Sequence, residues 1–216
     1  MHRRVFTLVS LVLASVSAAP ALAQEVVVLP IADVKTRSAV EREIARAATK
    51  GLPTQPLIAK AMEGVTKQAS GERIQEVVAS LAKRLEQARV LLAPSASAAE
   101  VTSGAEALRV GVPGPMLKKV RAAWPNRSVV MPLDVLTELH VRGIPADHAL
   151  EKITGLMARG ATPAQIAGLG SSVQTDVAAG LAPDAALEVR ARGVMSLLLA
   201  PQATASLAPT GQRPPQ

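Results

Sequence analysis

From residue 72 to 92 the apolar positions Ile74, Val77, Val78, Leu81, Leu85, Ala88 and Leu92 recur at steps of three and four, the spacing that puts them on one face of an α-helix. Ser70 stands where an N-cap belongs, and Glu72 complements the positive end of the helix dipole. An earlier stretch, Asp33 to Lys50, repeats the period in Val40, Ile44, Ala47 and Ala48, and Gly51 closes it. Before it, Val26-Val27-Val28-Leu29 is β-prone and ends at Pro30, with no second strand pattern to pair with. Residues 24–32 are therefore expected as an extended arm, and residues 33–93 as an N-terminal helical hairpin region.

The run Ala93-Pro94-Ser95-Ala96-Ser97 breaks the helical pattern and marks the boundary to a second region, 98–195. There the apolar stretches are short and separated by one recurring unit: Gly111-Val112-Pro113, Gly143-Ile144-Pro145, Gly160-Ala161-Thr162-Pro163 and Gly180-Leu181-Ala182-Pro183, with Gly51-Leu52-Pro53 of the same form upstream. Glycine ends one helix in the left-handed conformation, and proline opens the next, where its missing N–H is not needed. Thr162 and Gln165 form a capping box, and Asp134, Asp147 and Asp184 fall in the first turns after Pro132, Pro145 and Pro183. Gly143 to Gly180 spans 37 residues, about the length of a helix-pair repeat. The expected fold is all-α, an irregular array or bundle of short antiparallel helices whose regular limit is a solenoid. Residues 196–216, rich in Pro, Ala, Thr and Gln, are expected as a disordered tail.

The first 23 residues follow a different pattern. His2, Arg3 and Arg4 lead into the apolar run Val5 to Val16, and Ala21-Leu22-Ala23 supplies small residues before Gln24. This is the order of a secretory signal peptide cleaved after Ala23, and the expected location is periplasmic or extracellular. The run is interrupted by Ser15, Ser17 and Pro20 and falls short of the roughly 20 apolar residues a membrane span needs, so no transmembrane segment is expected in the mature chain.

Composition narrows the function. The chain has no cysteine, which removes disulfides, thiolate zinc sites, cysteine nucleophiles and a lipid-modified cysteine. Its formal charge of +7 becomes +5 once Arg3 and Arg4 leave, a scattered excess compatible with anionic envelope polymers or lipid head groups and with an ordinary solvated helical surface. Beyond Phe6, the only aromatic ring is Trp124, so the core is built from Leu, Val, Ile, Met and Ala. Sites that stack bases or sugars present several aromatic faces, and no nucleic acid partner or cofactor is expected.

Gly51-Leu52-Pro53, Pro56-Leu57, Lys60-Ala61, Glu63-Gly64, Lys67 and Glu72-Arg73-Ile74, together with the Gly111 and Gly143 turns, resemble a group of exported bacterial proteins of unknown function. The resemblance implies export and helix content and no activity.

Two constellations carry candidate chemistry. Lys118, Lys119, Arg121 and Arg127 surround Trp124 and form the densest basic patch, able to contact phosphate, a head group or an acidic partner; the structural alternative has the cations decorating a helix end while Trp124 packs inward. His140, Asp147, His148 and Glu151 are the residue types of a metal or acid–base site, as a hydrolase would use, although Asp147 and His140 also suit helix ends. Gly168-Leu169-Gly170-Ser171-Ser172 lacks the Gly-x-Ser-x-Gly register of a nucleophile elbow and lies in a helical pattern, where its glycines mark a kink or a close crossing. Asn126-Arg127-Ser128 matches a glycosylation acceptor only by coincidence in a bacterial chain. The leading expectation is a non-catalytic interaction or scaffold module with a protein partner. The alternatives are anionic polymer or head-group binding through residues 118–127, and a His/carboxylate hydrolase.

Overall fold

The computed structural model describes residues 29–199; the signal peptide, residues 24–28 of the arm and residues 200–216 of the tail lie outside the described residues. Within them the chain is all-α: α1 (Val34–Thr49), α2 (Gln55–Thr66), α3 (Gly71–Leu91), α4 (Ala98–Arg109), α5 (Gly114–Ala123), α6 (Val130–Val141), α7 (Ala146–Ala158), α8 (Pro163–Ala178) and α9 (Pro183–Leu199). None of these helices is long and apolar enough to cross a membrane.

The helices stack in two rows. Odd-numbered helices pack in series, α1 on α3, α3 on α5, α5 on α7 and α7 on α9, while α4 packs on α6 and α6 on α8. Consecutive contacts such as α2 on α3, α3 on α4 and α8 on α9 tie the rows together. Small side chains let the rows approach: Gly104 of α4 lies where an added Cβ would stand 3.0 Å from Leu92 and 3.1 Å from Ala88 of α3. The stacking is solenoid-like, but helix lengths from 10 to 21 residues keep it irregular.

The Gly–Pro units are the joints. Gly51, Gly111, Gly143, Gly160 and Gly180 all have positive φ, and at each the following residue donates its N–H back to a carbonyl of the helix just ended, as Ile144 does to Leu139 at 3.1 Å. That following residue is apolar, and Leu52, Val112, Ile144 and Ala161 are buried by it, so each joint also plugs the core; Leu181 stays exposed. Proline is the first residue of α8 and α9, but Pro113 and Pro145 sit one position earlier as N-caps with extended ψ, and α6 begins two residues before Pro132.

Three boundaries differ from expectation. The region expected as a hairpin holds three helices, because α2 buries only Leu57 and Ala61 and its stripe is interrupted by Gly64, which lies against Ile74 of α3. The two apolar clusters divide within α4 and not at the 93–97 break: Leu92 before the break belongs to the larger cluster, and α4 gives Val101 and Ala105 to the N-terminal cluster and Ala107 to the larger one. Finally, residues 196–199, placed in the expected tail, continue α9, where the Ser196 hydroxyl donates to the Arg192 carbonyl. At the other end, Leu29 and Ile31 of the arm are buried in the N-terminal cluster.

Candidate functional site

Residues 118–127 do not form one surface. On α5, Leu117, Val120 and Arg121 face inward, leaving Lys118 and Lys119 exposed. Trp124 ends that helix, is 4% exposed, and donates its indole N–H to the Met157 carbonyl of α7 at 3.4 Å. Arg127 remains exposed with its guanidinium 4.0 Å from the centre of the Trp124 ring, a cation–π contact. Arg121, read from sequence as part of a surface patch, is 8% exposed and belongs to the interior.

Its partner there is Glu100 of α4, which sequence reading missed. Arg121 Nη2 lies 2.7 Å from Glu100 Oε1, and Arg121 Nη1 donates to the carbonyls of Trp124 and Arg127 at 3.3 and 3.0 Å. Glu100 in turn accepts the backbone N–H of Val129 at 3.0 Å and of Ser97 at 2.8 Å, the latter half of a capping box with the Ser97 hydroxyl. Burial alone would push the Glu100 carboxyl up, but the Val129 and Ser97 N–H groups and the Arg121 guanidinium outweigh it and hold it below the usual glutamate range. One ion pair thereby fixes α4, α5 and the turn into α6.

The His/carboxylate constellation also divides. His140 points back along its own joint, with Nδ1 3.2 Å from the Ile144 carbonyl. His148 turns away from Asp147 and Glu151 toward α9: Nδ1 is 2.9 Å from Asp184 Oδ1 and Nε2 is 2.9 Å from Glu188 Oε1. Asp147 accepts the His148 backbone N–H, and Glu151 is exposed, 3.6 Å from Lys152 Nζ. Lys152 joins the same network at Glu188, 2.6 Å away. Hydrogen bonding from Glu188 and then Asp184 raises the His148 pKa. The two carboxylates stand on opposite ring nitrogens and do not converge on a shared point, and among the described residues no group of three or more His, Asp or Glu side chains could hold a metal ion. The four residues His140, Asp147, His148 and Glu151 therefore do not come together as one site.

Gly170 meets Val135 of α6, where an added Cβ would stand 3.3 Å from both methyl groups, so it marks a close crossing; Gly168 has open space around it. A basic groove between α2 and α3 was not anticipated. Glu63 accepts from Lys60 at 2.5 Å and Lys67 at 2.6 Å, which together hold its carboxyl down to about 2, the Lys60 bond contributing most. The Lys60-x-x-Glu63-x-x-x-Lys67 spacing was the signal for it.

Compared with protein-family models, curated proteins and solved structures, the chain has no match in any of the three.

Proposed function

We propose that the chain is an exported, non-catalytic helical protein, periplasmic or extracellular, that acts as an interaction module by laying the open end of its stack against a helix of a partner protein. The observation that carries this reading is the outer face of α9. A terminal helix of a stacked array ordinarily turns a polar face outward. α9 buries Ala186, Leu187 and Ala191 on its inner face, yet Val189, Gly193 and Leu197, at steps of four, form an exposed stripe on which Leu197 is 72% exposed and Gly193 stands in open space; Leu199, also exposed, projects from the opposite flank. A second apolar helix could continue the odd-numbered row there as α9 continues α7.

His148 ties α7 to α9 and Glu100 ties α4 to α5, so both serve the stack itself. Export rests on the sequence of residues 1–23.

A photo-crosslinker at Val189, carried by the protein in intact cells, tests the reading. The expected result is one discrete adduct, lost when Leu197 and Leu199 are changed to Glu, and absent from a crosslinker at exposed Val90 of α3. Equal labelling from Val90, or none from Val189, overturns the interaction role. Mass spectrometry of the envelope fraction should find Gln24 as the N-terminus; intact Met1 on cytoplasmic material overturns export.

A further inference from the structure

α9 ends the stack and is held there unevenly. Its first half buries Ala186, Leu187 and Ala191, two of them alanines, whereas Val194, Met195 and Leu198 of the second half also pack against the larger cluster. With so little apolar surface to bury, the first half relies on polar ties to its neighbours. Arg190 grips both carboxylate oxygens of Asp176 on α8, at 2.6 and 2.5 Å, and His148 of α7 bridges Asp184 and Glu188, at 2.9 Å each. Only the second tie is switched by a proton near neutral pH. The charged groups around the ring are Asp184 and Glu188 on α9 and Asp147, Glu151 and Lys152 on α7; among the described residues no ion pair from α5 or α6, which also pack on α7, reaches it. Lys152 also holds Glu188, while the Asp184 carboxylate has His148 as its one ion-pair partner among the described residues. Asp184 follows directly on Pro183, so the group most dependent on His148 lies in the first turn of α9.

We propose that His148 is a proton-operated latch on α9: the imidazolium holds the first turns of α9 on α7, and loss of its proton frees them while α9 stays attached to α8. A neutral imidazole cannot keep the observed arrangement. It carries one N–H, so its other nitrogen would turn a lone pair on a carboxylate oxygen 2.9 Å away, and one of the two must withdraw. Lys152 keeps Glu188 in place, so withdrawal falls on Asp184 and the first turn. No further helix holds α9 down, and the end of a stacked array is where opening costs least. Latched, α9 offers Val189, Gly193 and Leu197 as a fixed continuation of the odd-numbered row; unlatched, it offers a frayed one, so docking is favoured on the acid side. That consequence rests on the proposed interaction role, and the latch itself does not.

Native-state hydrogen exchange of the purified chain, with no partner present, tests the latch. The backbone N–H groups of Leu187 and Ala191 should exchange through an opening that is lower in free energy and less dependent on urea than the one that releases Leu136 of α6 and Ile153 of α7. After correction for intrinsic exchange, their protection should fall about tenfold between about pH 5.5 and 8.5, because each unit by which the latched His148 pKa exceeds the open one changes the open fraction tenfold. His148→Gln should leave protection low and independent of pH, whereas Arg190→Gln should lower it throughout and keep the fall. The latch is overturned if protection changes less than about twofold, or if His148→Gln retains the fall. It is equally overturned if Leu187 and Ala191 exchange together with Leu136 and Ile153 at the same urea dependence, which would make the His148 ties a part of global stability alone. A missing adduct at Val189, by contrast, removes the docking role and leaves the exchange result standing.

Discussion

His148 Nε2 and Glu188 Oε1 lie 2.9 Å apart across α7 and α9, and the other nitrogen of the same imidazole faces Asp184 at the same distance. A neutral imidazole has one N–H to donate, so only the imidazolium satisfies both carboxylates. Lys152 and Glu151 on α7 are the other charged groups in the network, and Lys152 lies close enough to oppose the charge on His148 slightly.

A pH dependence follows from this geometry. The folded pKa of His148 is raised, by Glu188 first and Asp184 second, above its unfolded value near 6.5. Its stabilisation is therefore complete below about pH 6.5 and is lost as pH rises through the folded pKa. The urea midpoint should fall across that window, and His148→Asn should flatten the slope while costing most at the acid end. An imidazole titration by NMR that places folded His148 at or below 6.5 would sink the argument.

Glu100 and Arg121 support a second expectation, on stability. Their side chains are 5% and 10% exposed, so removing one leaves the other as an uncompensated buried charge. Arg121→Met should destabilise by about 3–5 kcal/mol in urea unfolding followed by Trp124 fluorescence. Replacing both residues with apolar ones should not restore stability, because the Val129 and Ser97 N–H groups would lose their acceptor. A loss below about 1 kcal/mol for Arg121→Met would mean that the pair is not a structural clamp.

Local chemistry was legible in the chain and long-range pairing was not. The glycine joints, the Thr162–Gln165 box and the α3 stripe are set by neighbours within a turn or two, and each appears where its residues stand. The inward position of Arg121 was also readable, since Leu117, Val120, Arg121 and Trp124 fall at i, i+3, i+4 and i+7, as was the Ser97-x-x-Glu100 box. That Arg121 meets Glu100, or that His148 meets Asp184 and Glu188 rather than Asp147 and Glu151, depends on which helices stack, and residues 36 and 40 positions apart meet only because α9 lies on α7. Short helices such as α2, with two buried residues, carry too little periodicity to be separated from a loop.

Trp124 provides a contrast between core and surface within one segment. It packs in the larger apolar cluster and is nearly enclosed, so its emission should be blue-shifted and poorly quenched by iodide, and Trp124→Ala should cost about 3–5 kcal/mol. Lys118→Ala with Lys119→Ala touches only exposed side chains and should change stability by less than about 0.5 kcal/mol. A strongly quenched Trp124, or a lysine variant that unfolds, would reverse the assignment of inside and outside along α5.

The joint after α2 differs from the other five in one residue, and the difference is measurable. Gln68 has φ 53 and Ala69 donates its N–H to the Gly64 carbonyl at 3.0 Å, the same closing bond the glycine joints use, but here a residue with a Cβ occupies the left-handed position. That conformation costs an L-residue about 1–2 kcal/mol, partly offset because glycine gains more freedom when unfolded. Gln68→Gly should therefore raise stability by about 0.5–1 kcal/mol. Gly143→Ala is the reciprocal case: φ is 91 and nothing lies within 4 Å of the added Cβ, so any loss comes from the backbone alone and should be about 1–2 kcal/mol. Thermal unfolding of the two variants should move in opposite directions. If Gln68→Gly destabilises, the side chain at 68 contributes more than its backbone conformation costs, and the six joints are not equivalent devices.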